Sequence, residues 1–233
     1  MRWVAFDSKD YKRGKRTGKG HIETSFFTPL EVGVAFDDPE EFTRAYLKST
    51  AELSKEFGVE KASCIYSSSM LKGELGNSKA TAFIQKLIDS TSRHVEHVHF
   101  SYMVLSPKSI KEVIVGGERC AKYPVKTEEF LRNLSPMFSY ISAWNYSRYT
   151  KDGDYKIMMD AFTSKETTAW KELKRSHEVS IVSHGDEVNP MISYADNVAF
   201  LTDAKLYRAN LNLSSQNLAS VWNGVFDVRS NYI

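Results

Sequence analysis

Strand-like and helix-like segments alternate through most of this chain, and the alternation opens with a hairpin. RWVAFD, residues 2–7, is a short apolar run ending on an acid and reads as a buried strand. HIETSFFTPLEVGVAF, residues 21–36, is rich in β-branched and aromatic residues and reads as one or two strands, with Pro29 breaking any single long one. Asp38-Pro39-Glu40-Glu41 is a helix start: a capping acid, proline in the first turn, then acids on the positive end. Phe42, Ala45, Tyr46, Ser49, Leu53 and Phe57 follow at helical spacing, and Gly58 closes the helix.

KASCIYS, 61–67, then reads as a strand, and the polar, glycine-containing SSSMLKGELGNSK, 67–79, as a loop. ATAFIQKLIDSTSRHV is an amphipathic helix, HVHFSYMVL, 97–105, a strand, and 106–125 irregular. A helix capped by Thr127 and interrupted at Pro136 is followed by the strand YKIMMDAF, 155–162. KETTAWKELKR reads as a helix, HEVSIVS, 177–183, as a strand, HGDEVNP as a turn and 191–208 as a long apolar-rich helix. The tail carries a short helix around 215–223. This order predicts an α/β fold, a mixed sheet flanked by helices with inserted elements. No linker divides the chain, so residues 1–233 are expected to form a single domain.

Composition bounds the function classes. With 42% hydrophobic and 26% charged residues, the chain is of ordinary globular type. No apolar run approaches the ~18–20 residues needed to cross a bilayer. MRWVAFDSKD turns polar too quickly for a signal peptide, so a soluble, cytoplasmic protein without a membrane partner is expected. Cys64 and Cys120 show no metal-ligand spacing, and Cys64, inside ASCIY, reads as a reduced core cysteine. The formal charge of +2 does not by itself announce a nucleic-acid binder. Its distribution says more: Lys9, Lys12, Arg13, Lys15, Arg16 and Lys19 are opposed within residues 9–20 by Asp10 alone. This basic loop follows directly on Asp7. Its cations suit phosphates and Tyr11 suits stacking on a base, against the plainer reading of a solvated hairpin tip.

Three aspartates carry the candidate chemistry. Asp7 ends the first strand, Asp160 ends a late strand, and Asp196 stands inside an apolar helix between Ala195 and Val198. Carboxylates in apolar segments are costly unless paired or metal-bound. Two strand-end acids and a helix acid suit hard Mg²⁺ or Mn²⁺ ions and phosphodiester chemistry. Singly, each has a plain structural reading: Asp7 and Asp160 as turn residues, Asp196 on a solvent face shared with Asn197, Asp203 and Lys205.

The order strand-Asp, hairpin, helix, strand, late strand-Asp and Ala-Asp helix resembles the ribonuclease H-like superfamily. More narrowly, it resembles a poorly characterised microbial family whose members open with Asp-Glu-Ser-Gly and close with a Leu-Gln-x-Ala-Asp helix. The residues that carry the resemblance are Phe6-Asp7-Ser8-Lys9-Asp10, Ser68-Ser69-Met70-Leu71-Lys72-Gly73 and Asn189-Pro190-Met191-Ile192-Ser193-Tyr194-Ala195-Asp196. Ser8 stands where that pattern has Glu, and Ser193 lies where it has Gln. The resemblance implies a ribonuclease H-like fold and a metal-dependent nuclease or related phosphoryl-transfer enzyme. Asp7, Asp160 and Asp196 would then be catalytic and metal-binding. Glu166 is a weaker additional ligand, and Asp186 and Glu187 are further carboxylates in a polar turn. Lys12, Arg13, Lys15, Arg16, Lys19 and Lys72 are the nucleic-acid-binding candidates. The alternative, favoured by Ser8, is a catalytically degenerate ribonuclease H-like protein that binds nucleic acid or a protein partner. His97 and His99 would share a strand face, and His184 stands near the final turn as a weak candidate for proton transfer. No P-loop, G-x-G-x-x-G, H-E-x-x-H or G-x-S-x-G motif occurs.

Overall fold

The computed structural model describes residues 2–16, 22–59, 64–104, 112–115, 118–122, 155–160, 175, 178–210 and 220–226. Strand β1 (Arg2–Arg16) pairs antiparallel with β2 (Ile22–Phe36), from Trp3 opposite Phe36 to Arg16 opposite Ile22. Strand β3 (His97–Val104) adds antiparallel to β2, with Leu30 opposite Tyr102 and Ala35 opposite His97. A small hairpin, β4 (Glu112–Val115) and β5 (Glu118–Lys122), forms a separate sheet. Strand β6 (Tyr155–Asp160) pairs parallel to β1, and β7 (Val179–Val182) parallel to β6. Strand β8 (Ser220–Phe226) closes the far edge against β3, giving the order β7-β6-β1-β2-β3-β8. The architecture is therefore α/β, a mixed sheet flanked by helices, as the order of elements in the sequence predicts.

Helix α1 (Pro39–Phe57) follows its local signals closely. Asp38 accepts hydrogen bonds from the Glu40 and Glu41 N–H groups at 3.1 and 2.9 Å, Pro39 stands in the first turn, and Gly58 closes the helix at φ 71°. Helix α2 (Ser68–Thr91) starts on Ser67, whose hydroxyl accepts from the Met70 N–H. A single 3₁₀ turn, Ser92–His94, leads into β3. The short α3 (Gly185–Val188) precedes α4 (Pro190–Asn210). One face of the sheet carries Ala5, Leu30, Val32, Val34, Phe36 and Val98 into a core shared with α1, α2 and α4. Phe36, Phe42 and Tyr194 meet there ring to ring, at centroid distances of 4.3 to 6.1 Å.

Several expectations are corrected. Strand β1 does not end at Asp7 but runs on to Arg16, so Lys12, Arg13, Lys15 and Arg16 belong to a paired strand and not to a loop. Pro29 does not break β2; it pairs opposite Asp10 just beyond Leu30, the last described β2 residue paired with β3, where a missing N–H is tolerated as on an edge strand. SSSMLKGELGNSK is helix, not loop. Most of its positions from Lys72 to Lys79 are exposed, as is Ser69, and Gly76 (φ 72°, ψ 166°) marks a kink, whereas Leu71 and Ala80 are buried. Cys64–Ser67 form no strand, and Cys64 is a free thiol only partly buried. The irregular stretch at 106–125 contains β4 and β5, the turn at 184–190 contains α3, and the tail contains β8 where a helix was expected. The helix expected around Pro136 lies outside the described residues, as does that at 165–175 except for Arg175.

Candidate active site

Asp7 and Asp160 come together through parallel pairing of β1 with β6. Ala5 stands opposite Met158 in that register, and both pack on the helix-covered core. Each aspartate lies two residues further along its strand, so alternation puts both on the same face, side by side. Asp7 is 8% exposed, and Asp160, the last residue of β6, is half-buried. Asp160 Oδ1 accepts the Gly185 N–H at 2.8 Å. Two local features present that N–H. His184 takes a left-handed conformation (φ 52°), and Gly185 has no Cβ, which would strike the Ile192 side chain. A glycine plays a similar part on the opposite face: Phe6 is fully buried with its ring where a Cβ on Gly33 would lie, setting the strand that carries Asp7 against β2.

Asp196 is fully buried, contrary to a solvent-face reading, because α4 is buried on all sides from Met191 to Ala199 and packs against β1, β2 and α2. Its Oδ2 accepts the Ser68 N–H at 2.5 Å. The carboxylate thus meets the positive end of α2 and satisfies one of the donors left over in a first turn. Around it runs a polar network that the sequence did not single out. The Tyr46 and Ser193 hydroxyls lie 2.7 Å apart, Ser193 Oγ donates to the Tyr66 carbonyl at 2.9 Å, and Asn197 Nδ2 donates to the same carbonyl at 3.0 Å. Burial pushes the Tyr46 phenol up to about 12, with the Ser193 hydrogen bond opposing the shift. Only Ser193, at the position of an expected Gln, hinted at this network.

The opposite face of the sheet holds two more buried polar side chains that sequence reading missed as a pair, Glu31 on β2 and His99 on β3. They share that face because Gly33 pairs with His99 and Glu31 with Ser101. Burial, aided by neighbouring His97, pushes the His99 imidazole down to about 4. His97 is also lowered, by burial and by Arg2. The two histidines do share a strand face, as expected.

The remaining candidates are scattered. Lys72 is exposed just past the first turn of α2, and His184 is exposed before α3. Lys19, Glu166 and His177 lie outside the described residues. Among the described residues, no three His, Cys, Asp or Glu side chains stand together as a group able to hold a metal ion. Hard oxygen donors are nevertheless what Mg²⁺ or Mn²⁺ prefers, and Mg²⁺ is commonly held by one or two carboxylates with water and substrate phosphate completing its shell. The Asp7–Asp160 pair suits that partial type of site in donor chemistry. No helix among the described residues is long and apolar enough to cross a membrane.

The chain matches the family model described as a domain of unknown function, DUF8203, over residues 5–230, and belongs to that family. An uncharacterized protein of Archaeoglobus fulgidus is 28% identical over 202 residues, covering 83% of this chain. The match spans 59% of that relative's length. Among solved structures, the ribonuclease H2 from Pyrococcus horikoshii OT3 is similar with a TM-score of 0.42 at 13% identity, over 92% of this chain and 78% of that one.

Proposed function

We propose that this chain, as one domain over residues 1–233, is a divalent-metal-dependent nuclease or related phosphoryl-transfer enzyme acting on nucleic acid inside the cell. The observation that carries the reading is the side-by-side placement of Asp7 and Asp160 on one sheet face, with buried Asp196 on the helix that packs over β1. Asp7 and Asp160 would hold Mg²⁺ or Mn²⁺, and Glu166 is the candidate for a further ligand. When bound, such an ion activates water and stabilises charge on a phosphodiester. The chain's own contribution is orientation and charge. Gly185 N–H fixes one oxygen of Asp160, and Ser68 N–H fixes one oxygen of Asp196. Lys12, Arg13, Lys15 and Arg16 on β1, with Lys19 and Lys72, would neutralise substrate phosphates.

A second reading, a catalytically degenerate nucleic-acid or protein binder, is favoured by one observation: no three-ligand group stands together among the described residues. Two measurements separate the readings. Thermal melts in EDTA and in millimolar Mn²⁺ should show a metal-dependent rise of ~2–3 kcal/mol for an ion present at about 100 times its Kd. The rise should shrink in Asp7→Asn and Asp160→Asn. Labelled DNA and RNA oligonucleotides should be cut by the wild type and not by these variants. A metal-independent melt together with no cleavage would leave the binder.

A further inference from the structure

Beyond Asp7, strands β1 and β2 leave the body of the sheet. Strand β6 pairs with β1 only over Arg2–Phe6, and β3 pairs with β2 only over Leu30–Ala35. From Lys9 to Arg16 and from Ile22 to Pro29, the two strands pair with each other and with no other described strand. At ~3.3 Å per residue, this two-stranded ribbon is ~25 Å long. Its register shifts between Arg13 and Gly14, where Thr24 and Phe26 flank an extra residue, Ser25. Such a bulge increases the local right-handed twist. Its composition is strongly one-sided in charge: Lys9, Lys12, Arg13, Lys15 and Arg16 are opposed by Asp10 and Glu23.

We propose that this ribbon is a binding arm for duplex DNA that lies in the major groove, with the Asp7–Asp160 face directed at the backbone beside it. The inference rests on the nucleic-acid reading above and names its substrate. A two-stranded β-ribbon fits the ~12 Å major groove of B-form DNA, whereas the A-form groove of double-stranded RNA is too narrow and deep for side-chain entry. A single strand presents no groove, and its binding relies on stacking platforms in a basic channel. A twisted, cationic ribbon suits the groove of a duplex better than either alternative.

The test is binding, measured by fluorescence anisotropy in EDTA, so that it is independent of metal and cleavage. The probes are a labelled 24-base-pair DNA duplex, the same sequence as duplex RNA, and its single DNA strand. Wild-type protein should bind duplex DNA at least ten-fold more tightly than the other two. The slope of log K against log salt should become shallower by up to ~3.6 when Lys12, Arg13, Lys15 and Arg16 are replaced by Gln, at ~0.9 for each phosphate no longer neutralised. A thermal melt of this variant verifies the fold, and single Lys12→Gln and Arg16→Gln variants, each expected to change the slope by up to ~0.9, serve if it does not fold. Equal affinity for single strand and duplex, tighter binding of duplex RNA, or unchanged slopes in folded variants would overturn the proposal. Loss of metal binding or cleavage in Asp7→Asn with duplex binding intact would bear only on the catalytic reading.

Discussion

The Asp196 carboxylate accepts the backbone N–H of Ser68 at 2.5 Å, joining positions 128 residues apart in sequence. An acid buried in one helix thereby satisfies the first turn of another. The same pairing ties the closing Ala-Asp segment to the Ser-rich segment, so this candidate acid has a structural task.

The structural task of Asp196 and the chemical one proposed for it separate by substitution. Asp196→Ala leaves a buried first-turn N–H without its acceptor and should cost ~1–3 kcal/mol in urea unfolding measured in EDTA. Asp196→Asn keeps a carbonyl oxygen for Ser68 and should cost less, yet it removes the negative charge that a cation needs. An Asn variant as unstable as the Ala variant would show that charge, and not hydrogen bonding, holds α2 in place.

Tyr46 and Ser193 should be energetically coupled. Ser193→Ala removes the 2.7 Å partner of the buried Tyr46 hydroxyl and the donor to the Tyr66 carbonyl, for an expected loss of ~1–3 kcal/mol. Tyr46→Phe in that background removes a hydroxyl that has lost its side-chain partner and keeps only the Tyr66 backbone, so it should cost less than it does in the wild type. A double-mutant cycle giving strictly additive losses would contradict the coupling.

Gly33→Ala tests the support of Asp7. The added methyl would overlap the buried Phe6 ring, so β1 and β2 can no longer pack as they do. Overpacking of this kind should cost ~1–3 kcal/mol. Phe6→Leu, which vacates the ring position, should recover part of the loss when combined with it. Full wild-type stability of Gly33→Ala alone would refute this packing.

Acid should weaken the protein through His99. Its folded value, about 4, lies below the unfolded value of 6.5, so the unfolded chain binds more protons between them. Stability from neutral His99 is complete above pH 6.5 and falls as the pH drops toward 4, by up to ~3 kcal/mol. The lowered His97 acts in the same direction. Urea midpoints across pH 4–8 should show this acid limb, and His99→Gln should flatten it. An unchanged limb in the variant would assign the loss to other groups.

What the sequence alone determined was local. The start and end of α1 were legible because Asp38, Pro39, Glu40, Glu41 and Gly58 act on their own chain neighbours. The strands at 97–104, 155–160 and 179–182 announced themselves as apolar runs, and Asp7, Asp160 and Asp196 stood out because carboxylates in such company are costly. Tertiary structure decided the rest. The ribbon from Lys9 to Arg16 looked like a loop because it shows no apolar alternation, whereas its strand character comes from pairing with β2. The first half of α2 looked like a loop because most of its face is solvated, with Leu71 anchoring it in the core and Asp196 satisfying its first turn. Strand β8 depends on a partner more than a hundred residues earlier in the chain. That Asp7 and Asp160 stand side by side was decided by parallel pairing of β1 with β6, a long-range register that local propensity does not encode.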